Sequence, residues 1–225
     1  MMLENLLKTD FLEVINSESL RRGDAPKWTV TPQVRVEDIV EHTFDVDDPK
    51  DNAMTIKREL GKGTASFVNG KPESPYNLRF VCYDEYMHQF VFDDGEGHPD
   101  KSMLKQHKRM ADFIVYDTAE KHVWIIIHEL SIGELANKRG KGRAQLAYTI
   151  ELLCRSESIR IFIEDIPNKW CVLSARDERV LQTPDGMADA FMNAYKIIPE
   201  PVKFQFGAMK RLDFMGFETS KVILG

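Results

Sequence analysis

Apolar residues recur along this chain with two different periods. Over residues 3–22 they fall at helical spacing, with Leu6, Leu7, Phe11, Leu12 and Ile15 on one face and Arg21, Arg22 and Gly23 as a C-terminal stop. That spacing predicts an amphipathic helix. Over residues 26–46 short β-branched pieces alternate with polar residues, which fits a strand pair or a strand followed by a short helix. The acidic run 45–51, broken by Pro49, reads as a loop; residues 54–60 read as a short helix, and the Gly-, Pro-, Ser- and Asn-rich stretch 61–77 as a surface loop or hairpin. Beyond residue 78 the pattern sharpens. Three β-rich runs, 78–92, 111–116 and 122–130, precede one helix at 142–155, whose stripe is Leu146, Ile150, Leu153 and Cys154. A charged connector, 93–109, separates the first two runs. Strands at 159–164 and 170–174, a helix at 187–195 and a strand at 202–206 complete the expectation of a single α/β domain over residues 1–225.

Composition narrows the function classes. At 225 residues, with 43% hydrophobic and 29% charged positions, the chain can bury a full core without a metal or disulfide staple. No apolar run reaches membrane-spanning length, and the first residues carry acids where a secretory signal carries bases, so a cytoplasmic protein with no membrane partner is expected. Cys82, Cys154 and Cys171 are odd in number and set among apolar residues, as buried reduced thiols are. There is no CxxC or HExxH, which argues against zinc chemistry, and the six histidines stand singly. The aspartates of 45–51 lack the glycine and closing glutamate of a calcium loop, and GKGT at 61–64 lacks the first glycine of a phosphate loop. A net charge of -6 excludes a protein that coats nucleic acid indiscriminately, yet Lys138, Arg139, Lys141 and Arg143 gather in KRGKGR as a local basic stretch.

The candidate chemistry rests on two acids. Side chains alternate along a strand, so Glu129 shares a face with Ile127 and Ile125 and emerges at the end of the apolar run HVWIIIHEL. Asp112 opens the run DFIVY. If the two runs pair as a tight antiparallel hairpin, the start of one lies beside the end of the other and the two carboxylates become neighbours. Such a pair repels itself unless a proton or a cation intervenes, and Mg2+ or Mn2+ between them would activate water for phosphodiester hydrolysis. An unrelated α/β fold with the two side chains on opposite sides of the sheet is the contrary expectation.

This arrangement resembles the PD-(D/E)XK, or restriction-endonuclease-like, nucleases, whose core is a helix, three strands, a helix and a strand in a mixed central sheet flanked by helices. The resemblance covers about residues 78–164, inside a nuclease-like core of 78–174, with 1–77 as an N-terminal extension for substrate recognition or dimerisation and 175–225 as a C-terminal one. It implies Asp112 and Glu129 as catalytic metal ligands, Gln145 as a positioning residue on the following helix, and DNA as partner, with Lys138, Arg139 and Arg143 meeting its phosphates; a homodimer is compatible. The family's lysine, two residues after the acid, is Ser131 here. The missing charge then comes from Lys141 or Lys138, or the chain is an inactive nuclease-like module that binds nucleic acid or protein.

Overall fold

The computed structural model describes residues 2–21, 32–47, 55–57, 62–92, 101–102, 110–132, 135–176 and 202–225. The expected N-terminal helix is two helices. α1 (Leu3–Lys8) ends at Thr9, whose hydroxyl donates back to the Asn5 carbonyl at 3.0 Å, and α2 (Phe11–Arg21) follows at once. A hydroxyl that bonds to a carbonyl four residues earlier competes with continuation of the helix. The apolar face survives the break: Leu3, Leu6, Leu7, Phe11, Val14 and Ile15 are all buried.

Next come β1 (Val36–Ile39), β2 (Thr43–Asp47), β3 (Thr55–Lys57), β4 (Ala65–Asn69), β5 (Leu78–Cys82), α3 (Tyr83–His88) and the short strands β6 (Val91–Phe92) and β7 (Lys101–Ser102). They are followed by β8 (Phe113–Asp117), β9 (Trp124–Ile132), α4 (Leu135–Leu153), α5 (Glu157–Glu164) and β10 (Asn168–Arg176). The chain closes with β11 (Val202–Phe204), α6 (Gly207–Lys210), β12 (Met215–Glu218) and β13 (Lys221–Leu224).

A mixed seven-stranded sheet runs in the order β1-β5-β8-β9-β10-β12-β11. From β1 to β9 each neighbour is antiparallel; β10 and β12 then run parallel to β9, and β11 returns antiparallel. The step from β9 to β10 is made through α4 and α5. Alternation assigns the faces. Ile125, Ile127, Cys171 and Leu173 join the helices α1, α2, α4 and α5 in one core. Phe80, Phe113, Val115, Ile126 and Val172 face the other way, onto Phe44, Phe67, Val222 and Leu224 of a second sheet ordered β13-β4-β2-β3. Burial on both faces is why the β9 sequence WIIIHEL reads as an almost unbroken apolar run.

Several expected elements are different ones here. Residues 159–164 form a helix, not a strand: Ile159, Phe162 and Ile163 are buried while Ile161 is exposed, and Ser156 caps the helix by accepting from the Ile159 amide. Residues 55–57, expected to be helical, are β3, and the stretch 61–77, expected to be a surface loop or hairpin, contains the mostly buried strand β4. The strands β1 and β2 exist but belong to different sheets. The run 78–92 turns into α3 after Cys82, and α4 starts seven residues earlier than its stripe suggests. The helix expected at 187–195 lies outside the described residues. Cys82 and Cys171 are buried and Cys154 half-buried, all as free thiols; burial pushes the Cys82 thiol up to about 12 and the Cys154 thiol up to about 11. No helix among the described residues is long and apolar enough to cross a membrane.

The turn from β8 to β9 is tied by one carboxylate. Asp117 is buried, and its side chain accepts from the amides of Val123 at 2.5 Å, Trp124 at 2.7 Å and Ala119 at 3.3 Å. Each buried N–H left without an acceptor costs about 1–3 kcal/mol. Asp117→Ala is therefore expected to lower unfolding free energy by about 2–4 kcal/mol in urea titrations; a loss under about 0.5 kcal/mol, the range of an ordinary surface change, would count against this role.

Candidate active site

The β8–β9 register pairs Phe113 with His128, Ile114 with Ile127 and Tyr116 with Ile125. Extending the register by one step sets Asp112 opposite Glu129. The Asp112 carboxylate completes the ladder: its Oδ2 accepts from the Leu130 amide at 2.6 Å, one peptide unit from Glu129. On its other side the Asp112 carbonyl accepts from the amides of Tyr83 at 2.9 Å and Asp84 at 3.3 Å, where β5 passes into α3. Asp112 is half-buried, and Glu129 is buried.

The helix α4 lies over this pair. A Cβ added at Gly142 would come within 2.5 Å of the Leu173 Cδ1 and 3.5 Å of the Glu129 Cγ, so this glycine lets the helix backbone approach the sheet where Glu129 emerges. One turn on, the buried Gln145 donates from Nε2 to the Met110 carbonyl at 2.9 Å, and the Thr149 hydroxyl accepts from the Ala111 amide at 2.9 Å. These two side chains fix the two residues that lead into Asp112. Gln145 thus holds the backbone that carries one acid.

The cationic residues fall in different places. Lys141 is exposed on α4, directly before Gly142, and Ser131 is half-buried two residues beyond Glu129. The side chain of Lys138 lies outside the described residues. Arg139 and Arg143, expected to meet phosphate, both reach Glu218 at the end of β12, with Nε distances of 2.9 and 2.7 Å. Glu218 was not anticipated. Its signal was available, because MGFE ends an apolar run with an acid just as HEL does.

His128 stands between the two acids in sequence order but points to the opposite face. Its Nε2 is 2.8 Å from the Ser174 hydroxyl, which itself donates to the Thr219 carbonyl at 2.6 Å. The serine proton is thereby committed, and the imidazole donates from Nε2. Its ring packs edge-on against Phe67 at 5.5 Å. Burial pushes its pKa down to about 3, so it stays neutral and structural. Among the described residues no three His, Cys, Asp or Glu side chains cluster as a metal site. No family model, no curated protein and no solved structure matches the sequence.

The buried imidazole has a consequence for pH dependence. In the unfolded chain His128 takes a proton near its ordinary value of 6.5, whereas in the fold it does so only near 3. Between those values the unfolded state holds more protons, so stability falls as pH falls, by about 1.4 kcal/mol per pH unit for one group. His128→Gln is expected to flatten the dependence of urea midpoints between about pH 6 and pH 4; parallel profiles for the two proteins would refute this.

Proposed function

We propose that this chain is a metal-dependent nuclease that hydrolyses phosphodiester bonds in DNA, built on a core of the restriction-endonuclease type. The reading rests on the β8–β9 register: extended one step beyond Phe113 and His128, it sets Asp112, just before β8, opposite Glu129, within β9. The element order is compatible with it: an N-terminal helix, the antiparallel strands β5, β8 and β9, the helix α4 and a parallel β10 occur in that order, with β1–β4 before β5, α3, β6 and β7 before β8, and α5 before β10.

The donor set suits a hard divalent cation. Mg2+ is commonly held through one or two carboxylates, with water and substrate phosphate filling the remaining positions, so Asp112 and Glu129 are enough from the protein. Bound there, Mg2+ or Mn2+ would lower the pKa of a coordinated water and offset charge on the phosphoryl oxygens. The chain's own residues do the rest. Gln145 and Thr149 hold the lead-in to Asp112, the Leu130 amide orients its carboxylate, and the closely packed α4 shields the Glu129 side from bulk water. Lys141, exposed beside Gly142, is the candidate for the charge that Ser131 does not supply.

A second reading is favoured by Ser131: a nuclease-like module that binds DNA without turnover. Cleavage of labelled single- and double-stranded DNA in Mn2+ separates the two. The native protein is expected to cut, Glu129→Ala and Asp112→Ala to lose at least about 100-fold in rate, on the scale of losing a group that stabilises transition-state charge, and Lys141→Ala to lose less. Native protein that binds DNA but leaves it intact would overturn the nuclease reading in favour of the module.

A further inference from the structure

The line of acids continues across the sheet. Glu129 pairs in register with Leu173 on β10, and Leu173 with Glu218 on β12. Register partners share a face, so Glu218 lies on the α4 side, two strand spacings or about 10 Å from Glu129. Its carboxylate is 0% exposed and holds two guanidinium groups. Arg139 Nε is 2.9 Å from each carboxylate oxygen, and Arg143 bonds through Nε at 2.7 Å and through a terminal nitrogen. Arg143 is also seated over the Phe204 ring, 4.7 Å from its centroid. Gly216 permits that seat, because a Cβ there would come within 2.6 Å of the same ring.

Among the described residues the charge of this cluster does not cancel. One carboxylate faces two cations, and the acid is on the inside while Arg139 is 44% and Arg143 25% exposed. Neutralising a buried glutamate takes one arginine. Among the described residues the bonds from Arg139 run through Nε, which holds its planar fork by one edge and leaves the terminal nitrogens to a second acceptor. A guanidinium so held suits a phosphate oxygen pair, since the fork matches that geometry and little side-chain freedom remains to be lost.

We propose that Arg139 and Arg143 form a docking site for a backbone phosphate of the DNA strand next to the scissile one, with the buried Glu218 as the positioning residue that aims them. The proposal rests on DNA as the substrate. The sign of one variant separates aiming from mere charge. Removing the Glu218 charge makes the protein more positive, which by long-range electrostatics alone strengthens DNA binding. If Glu218 aims the two forks, the same change weakens it.

The test is anisotropy of a labelled oligonucleotide, single-stranded and as a duplex, titrated with the full chain in chelator across a salt series, so that cleavage plays no part. Arg139→Gln is expected to weaken binding and reduce the log–log salt slope by about 1. Arg139→Lys keeps the charge and is expected to bind several-fold more weakly than native with little change of slope. Glu218→Gln is expected to bind more weakly than native. Tighter binding by a folded Glu218→Gln, or native-like affinity in both Arg139 variants, would overturn the proposal. Should Glu218→Gln fail to fold by circular dichroism, the two Arg139 variants decide alone. Cleavage in Mn2+ with Arg139-independent binding removes this site and leaves the nuclease reading; Arg139-dependent binding without cleavage does the reverse.

Discussion

Everything proposed for this molecule depends on the register between β8 and β9. A slip by one residue would turn each β9 side chain to the other face, moving Ile125 and Ile127 from the helical core into the inter-sheet core and Glu129 away from α4. The register is pinned at both ends by aspartates. Asp117 gathers the amides of the turn at the closed end, and Asp112 takes the Leu130 amide at the open end. Between them the apolar rows on each face forbid slippage, because the two cores differ in shape: one receives helices and the other the stacked Phe44 and Phe67 rings, 5.0 Å apart. The same geometry that fixes the hairpin therefore creates the acid pair.

The pair was legible in the sequence because it follows from two local facts, strand alternation and hairpin pairing. Where local facts conflict, the sequence misleads. Residues 157–164 are rich in isoleucine and phenylalanine, which favour strands, yet Ser156 caps a helix there and the buried positions recur at helical spacing. The β4 strand hides in a stretch full of turn residues, since Ala65 and Phe67 are buried where the second sheet packs on the seven-stranded one, a contact that no local pattern announces. Glu218 was missed for a related reason. Its partners lie 75 and 79 residues earlier in the chain, so nothing near it in sequence marks it as the anchor of two arginines.

The two halves of the basic stretch answer to different demands. Arg139 and Arg143 sit four residues apart, on one side of α4, and meet a buried acid, a setting in which arginine outperforms lysine because its fork is planar and weakly hydrated. Lys141 lies between them in sequence but is exposed, where a flexible ammonium costs little. The glycine at 142 completes the arrangement. Without a side chain there, α4 can rest on Leu173 and bring the arginines to β12 while Gln145 reaches the Met110 carbonyl on the far side.

That crossing of α4 bears on the absent lysine. A cation at position 131 would ride on β9 itself, two residues from Glu129, and its place would be set by the strand. A cation on α4 is set instead by how closely the helix approaches the sheet, and Gly142 governs that approach. On the proposed reading, a charge on the helix would approach the acid pair from the α4 side and not from within the sheet. Phosphate held by the arginines would then lie on the same side as the compensating charge. On the proposed nuclease reading, a serine at position 131 and a basic helix brought close by Gly142 would be consistent parts of one geometry, with the cation supplied by the element that covers the sheet.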